Sequence, residues 1–167
     1  VRPGLDDKVL TEWNALMLST LAEAAAATGD REWTAAARAN AEFLCAELRR
    51  ADGRWLRTWQ GPVDGGAEQG EAKILAYAAD HGALVDAFVR MAELTGEARW
   101  LDEARTTADS LLELFWDDEA GGVFTTGSDA ETLVTRPKEL MDNAVPSGNS
   151  LAAVGLLRLA ALTGDEA

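Results

Sequence analysis

The sequence predicts an all-α fold of helical hairpins in an inner and an outer layer, and three observations predict it. A unit recurs: Asn14, His81 and Asn149 each stand fourteen residues before a Thr-Gly-acid turn, at Thr28-Gly29-Asp30, Thr95-Gly96-Glu97 and Thr163-Gly164-Asp165, so the period is 67 and then 68 residues. Helices of two kinds alternate, some apolar on most sides and some with a single apolar stripe. The connections alternate too: the Thr-Gly-acid turns are tight, while the links from about Ala51 to Ile74 and from Trp116 to Pro146 are long. Buried helices alternating with one-sided helices form two layers, and successive hairpins curve into a ring or arc.

Taken in order, Pro3-Gly4 is a turn signal, and Asp6 and Asp7 place negative charge where the first helix begins, near Val9 to Glu12. From Trp13 to Ala27 only Asn14, Ser19, Thr20 and Glu23 break an apolar or small sequence, the composition of a helix buried on most sides. Helices at about Leu75 to Leu94 and Ser147 to Leu162 repeat it, with Leu21, Phe88 and Leu156 in matched positions. Between them, Trp33, Ala37, Ala41, Leu44 and Leu48 make one stripe and Trp100, Ala104, Ala108, Leu111 and Phe115 another, with charged residues elsewhere on both helices. The glycine of each Thr-Gly-acid turn is expected at positive φ after a helix C-terminus.

The hairpins therefore cover about residues 8–50, 75–116 and 147–167, all within one domain over 1–167. The third stops after its inner helix, and the chain starts at Val1 without a methionine, so it reads as a piece of a longer protein whose uncovered apolar surface favours self-association. In the second long link, Gly122 to Thr126 and Leu133 to Arg136 read as a small β-hairpin around Gly127 to Ala130. In the first, Arg54 to Trp59 reads as a short strand, and Gly65-Gly66 and Gly70 as irregular.

A net charge of −14 with no basic stripe excludes nucleic acid as a partner. Cys45, the single cysteine, excludes an internal disulfide and a multi-thiolate site, and its neighbours Phe43 and Leu44 mark a packed thiol. Charged residues interrupt every apolar run before the roughly 20 residues of a bilayer span, and no signal peptide is evident, so a soluble, cytoplasmic chain is expected with no membrane partner. No cofactor and no metal are expected: the acidic residues lack EF-hand spacing, and nitrogen and sulfur ligands are scarce.

Because the long links lead into the inner helices, the N-terminal ends of those helices share one rim, where free N–H groups and helix dipoles suit polar ligands. The rim carries Asp6, Asp7, Lys8, Glu12, Trp13 and Asn14; Glu68, Glu71, Lys73, Tyr77, Asp80 and His81; and Arg136, Lys138, Glu139, Asp142, Asn143, Ser147 and Asn149. Carboxylates, amides and aromatics together suit a sugar or another polyol. Asp80, His81 and Asp142 are the catalytic candidates; Asp7, Lys8, Trp13, Asn14, Tyr77, Asn143, Ser147 and Asn149 are the substrate-binding candidates. His81 is a proton-transfer candidate because imidazole titrates near neutrality, against the alternative of a hydrogen-bonded pocket or core histidine. Asp80 and Asp142 are candidates for an acid and base pair across the rim, against the alternative that Asp142 and Asn143 brace the loop. Ser147 is expected to cap the last helix, with Gly148 and Ser150 allowing close helix approach. Lys138 and Glu139 suggest an anchoring ion pair. Trp13, Trp33 and Trp100 match core positions by spacing, whereas Trp55 and Trp59 are candidates for sugar stacking, against packing of the loop.

Leu5 to Asn14, Phe115-Trp116-Asp117, Gly121 to Thr126, and above all Arg136-Pro137-Lys138-Glu139 with Asp142 to Ser150 resemble the spermatogenesis-associated, thioredoxin-domain-containing (YyaL-like) family, over essentially the whole chain. The resemblance implies an (α/α)6 toroid similar to six-hairpin glycosidases and N-acylglucosamine 2-epimerases, preceded in the parent chain by a thioredoxin-like domain. On that basis the chain is an incomplete toroid of about two and a half hairpins. Ala79-Asp80-His81 departs from the usual Asp-Tyr pattern, so no tyrosine role carries over there. The resemblance implies a carbohydrate-related pocket of isomerase, epimerase or glycosidase type, inactive in this fragment alone; the alternative is a non-catalytic scaffold serving the thioredoxin-like domain.

Overall fold

The structure is a computed structural model that describes residues 6–62, 70–131 and 134–164. In order, the elements are β1 (Val9–Leu10), α1 (Thr11–Thr28), α2 (Arg31–Glu47), β2 (Leu56–Gln60), β3 (Glu71–Leu75), α3 (Ala78–Thr95), α4 (Ala98–Phe115) and α5 (Gly148–Thr163). The fold is all-α as the repeat predicts, with α1–α2 and α3–α4 as hairpins and α5 as a further inner helix. α3 packs against α1, α4 and α5.

Each inner helix ends in the same way. Gly29, Gly96 and Gly164 lie in the left-handed region at φ 71°, 68° and 72° and return their N–H to Ala25, Ala92 and Ala160 carbonyls. Asp30 then caps α2 by accepting the N–H groups of Glu32 and Trp33. Glu97 caps nothing and instead pairs with Arg38 and Arg99, the first of which crosses to α2.

The expected strand in the first link is β2, and it lies in an antiparallel sheet of order β1-β2-β3. Val9 pairs with Trp59, and Leu56 pairs with Leu75. This sheet corrects the start of α3, because Leu75 belongs to β3 and the helix begins only at Ala78. The predicted hairpin of the second link is absent among the described residues: only the bridge Trp116–Val123 forms, and Leu133 lies outside them. Side chains hold this loop instead. Arg136 donates to the carbonyls of Leu114 and Thr126 and covers Phe124. Lys138 pairs with Asp117 and not with Glu139, a second correction.

Trp55, Phe88 and Trp100 form the aromatic centre of the core, with Phe88 stacked on Trp100 at 5.8 Å and 12°. Trp55 donates its indole N–H to Thr107, so it is a core residue and no sugar platform. Trp59 packs edge-on to Phe43 at 5.2 Å and clamps the sheet onto α2. Trp100 is buried as its stripe predicts, but Trp33 is 42% and Trp13 61% exposed.

Among the described helices, α3 is the most extensively buried. α1 and α5 are equally apolar in composition, yet Trp13 and Met17 on one and Val154 and Leu157 on the other are exposed. Where α3 crosses α5, a Cβ on Gly82 would lie 2.6 Å from the backbone nitrogen of Ala152, and one on Gly155 would lie 2.9 Å from the Gly82 carbonyl. Cys45 is packed, and burial pushes its thiol up to about 12. Among the described residues no helix is long and apolar enough to cross a membrane.

Candidate functional site

The inner helices meet at their N-terminal ends, and Asp80 is the joint. As the third residue of α3 it reaches back to accept the N–H of Tyr77 at 2.7 Å, satisfying a free donor of its own helix. Its other oxygen accepts the N–H of Glu12, at the start of α1, at 3.0 Å. Arg57 of β2 completes the set with an N–H donated to Asp80 at 2.8 Å. On the far side α5 comes in closely, since a Cβ on Gly148 would lie 3.3 Å from the nitrogen of Ala79.

At this meeting point lies a cavity of about 60 Å³, lined by Glu12, Arg57, Tyr77, Glu139 and Asn149 over a floor that includes Ala79. The Arg57 guanidinium covers the Tyr77 ring at 4.6 Å. It approaches one oxygen of Glu12 at only 3.4 Å, beyond the usual length of a charge-assisted bond. Among the described residues no donor reaches the other Glu12 oxygen, and the residue is 5% exposed. Burial, and then the charge of Asp80, raise the Glu12 carboxyl above the ordinary glutamate value. Asp80 is also pushed upward by burial, against the opposing pull of Arg57 and its two N–H donors.

Asn149, in the first turn of α5, forms one wall by imitating a strand: its carbonyl oxygen accepts the N–H of Val123 at 2.8 Å, and its NH2 donates to the carbonyls of Val123 and Glu139, both at 2.9 Å. Ser147 caps α5 as expected, accepting the N–H of Ser150. Asp142 accepts the N–H of Ser147 at 2.8 Å, and that bond holds its carboxyl below the ordinary value. Asp142 thus braces the approach to α5, and neither it nor Asp80 lines the cavity. Asn143 is exposed beside it, donating its N–H to the Val145 carbonyl.

His81 lies behind the cavity at 0% exposure. Its Nδ1 is 2.9 Å from the Tyr77 carbonyl and its Nε2 is 3.2 Å from Arg54. Since guanidinium only donates, Nε2 accepts and Nδ1 carries the proton. Burial brings the imidazole down to about 4. Arg54 is itself fixed by a two-pronged pair with Asp129 at 2.8 and 3.2 Å.

The remaining predicted residues are peripheral. Asp7 accepts a bond from Gln60 at 2.7 Å, and Lys8 pairs with Asp6. Asn14 donates to the Leu10 carbonyl, and its own carbonyl receives Asn40. Trp13 stands over a shallow depression with Leu16, Met17, Thr20 and Val145. Glu68 lies outside the described residues. Arg57 escaped the sequence reading altogether. Its signal was indirect: a buried carboxylate such as Asp80 requires a cation, and Arg57 alternates along β2 with the inward-facing Leu56 and Thr58 neighbours of the sheet. Among the described residues no group of three histidine, cysteine, aspartate or glutamate side chains is placed to hold a metal.

No model of a known protein family matches the chain. It is similar to spermatogenesis-associated protein 20 of Mus musculus, at 35% identity over 164 residues, 97% of this chain and 21% of the relative. The protein of the same name from Homo sapiens is 33% identical over 167 residues, 99% and 21% of the two chains. The chain therefore spans about a fifth of the length of the relatives it matches. Among solved structures it is similar to an unsaturated glucuronyl hydrolase from Bacillus sp. GL1 (TM-score 0.68, 20% identity, 100% of this chain and 44% of that one). A family 76 glycoside hydrolase (mannosidase) from Bacteroides thetaiotaomicron gives 0.65, 17%, 99% and 42%, and the cellobiose 2-epimerase of Spirochaeta thermophila gives 0.65, 18%, 91% and 37%. At these identities the likeness concerns the fold alone, and that fold is the six-hairpin α/α toroid, of which this chain matches somewhat less than half.

Proposed function

We propose that these hairpins form one side of a carbohydrate-related pocket in a cytoplasmic, thioredoxin-domain-containing parent protein, with a sugar or polyol as its ligand and isomerase, epimerase or glycosidase-like chemistry as its use. The observation that carries this reading is the polar cavity where α1, α3 and α5 meet, with a buried carboxyl, a guanidinium, a phenol and an amide around one space. At about 60 Å³ it admits a hydroxyl-bearing edge of a sugar and not a whole ring. The names of the fold neighbours, a mannosidase, an epimerase and a glucuronyl hydrolase, support a sugar as the ligand class.

In this reading Asp80, His81 and Asp142 are positioning residues. Asp80 ties the first turns of α1 and α3 and holds Arg57. His81 fixes Tyr77 from behind, and Asp142 sets the start of α5. Trp13, exposed over its own shallow depression, is kept as a candidate aromatic face for a sugar. A second reading, a scaffold for the thioredoxin-like domain, draws on the exposed apolar residues of α1 and α5.

Thermal denaturation of the full-length parent against a broad panel of monosaccharides and disaccharides tests the proposal. A sugar-dependent rise in Tm that Arg57→Ala removes is the expected result. A flat panel, together with recovery of a stable protein partner in pull-downs, would establish the scaffold reading in its place.

A further inference from the structure

Resting on the carbohydrate reading, we infer that Glu12 is the residue by which the cavity meets its ligand, and that the group it receives is a neutral hydroxyl or an amino-sugar ammonium, not the carboxylate of an acidic sugar. Glu12 lines the cavity with little of its hydrogen-bonding capacity used. Its side chain is 7% exposed, one oxygen has only the long contacts to Arg57, and no donor among the described residues reaches the other. Its carboxylate therefore keeps acceptor capacity for a donor entering the cavity. Asp80, deeper still, has a full set of donors, so the deficit is local to Glu12 and faces the cavity.

The charges around the space decide the sign of that partner. Glu12 comes from α1, Arg57 from β2, Asp80 from α3 and Glu139 from the loop before α5: three carboxyl groups against one guanidinium. Arg57 is held at 2.8 Å by Asp80 and its face lies on Tyr77, so much of its charge is offset before a ligand arrives. Lys138 is turned to Asp117 and to the Gly121 carbonyl. The N-terminal dipoles of α3 and α5 oppose this, each equivalent to about half a positive charge. They leave the cavity negative whenever Glu12 is ionised. A hydroxyl or ammonium donor supplies the bond Glu12 lacks, whereas a carboxylate brings no donor and adds repulsion.

The test uses the full-length protein with glucosamine, glucose and glucuronate as probes, read by calorimetry. The expected order is glucosamine, then glucose, then glucuronate, with about tenfold or more between first and last. Glucosamine binding should strengthen as the pH rises above the ordinary glutamate value of 4.5, because burial and the charge of Asp80 delay the ionisation of Glu12. Glu12→Gln keeps the shape and removes the charge, so it should collapse the order to within about twofold and flatten the pH profile. A purely structural Glu12 would leave both unchanged in a folded variant. Should Glu12→Gln not fold, Glu139→Gln serves in its place, with a partial loss of the same preference expected. Glucuronate binding as tightly as glucose to the unaltered protein would overturn the inference while leaving the carbohydrate reading intact. Failure of all three probes, and of a wider sugar panel, would remove the reading itself.

Discussion

Asp80 accepts the backbone N–H of Glu12 at 3.0 Å, across 68 residues of sequence, so the first turn of one inner helix is fastened to the first turn of the next. The same carboxylate holds Arg57 at 2.8 Å and the N–H of Tyr77 at 2.7 Å. Removing it strands a half-buried guanidinium and two N–H groups at once. Asp80→Ala should lower unfolding stability by about 3–5 kcal/mol, while Asp80→Asn, which keeps an acceptor, should cost less. Urea denaturation of both variants measures the difference; equal stability to the parent would show that the joint contributes little.

His81 gives the fold a pH dependence with a definite sign. Its folded value is about 4 against 6.5 for the free side chain, so the unfolded chain binds the proton more readily. The stability it permits is complete above about pH 6.5 and falls as the pH drops toward 4, by up to roughly 3 kcal/mol. His81→Gln should be less stable at neutral pH yet lose less on acidification. Urea midpoints collected across that range distinguish the two slopes.

The crossing of α3 and α5 depends on missing side chains. A Cβ at Gly82 would meet backbone at 2.6 Å, which no rotamer change can relieve. Gly82→Ala should therefore destabilise by about 1–3 kcal/mol despite alanine's better helix propensity. A control at Ala153, exposed on α5, should show nothing comparable when changed to Ser. Thermal melts of the two variants provide the comparison.

Exposed Trp13 and Met17 on α1, with Val154 and Leu157 on α5, should make the 167-residue chain self-associate. Sedimentation velocity over a concentration series should show species larger than the monomer. Met17→Lys with Leu157→Lys should shift the population to monomer without lowering helicity.

The features legible in the sequence were those written locally and periodically. The turn glycines, the stripe of α4 and the cap at Ser147 each depend on a few neighbouring residues, and each lies where the pattern puts it. Periodicity could not tell which apolar helix had neighbours on all sides, so Trp13 looked like core by spacing and is exposed. The site was less legible because its chemistry is made of long-range pairs. His81 joins Arg54, and Asp80 joins Arg57, because β2 pairs with β3, the strand that leads into α3. Nothing in the spacing of those residues signals the contact. Conversely, a lone histidine beside an aspartate attracts attention for its chemistry whatever its burial, and here burial brings the imidazole down to about 4.

The three turn glycines differ in φ by only a few degrees, 71°, 68° and 72°. α2 and α4 thus leave α1 and α3 through turns that begin alike, and Gly164 takes the same conformation at the end of α5. In a closed toroid such steps compound, and a small bias in one corner is carried by every hairpin beyond it until the last no longer meets the first. Alanine at one of these positions would cost about 1–2 kcal/mol locally. Its larger effect would be a failure of closure, felt farthest from the altered residue.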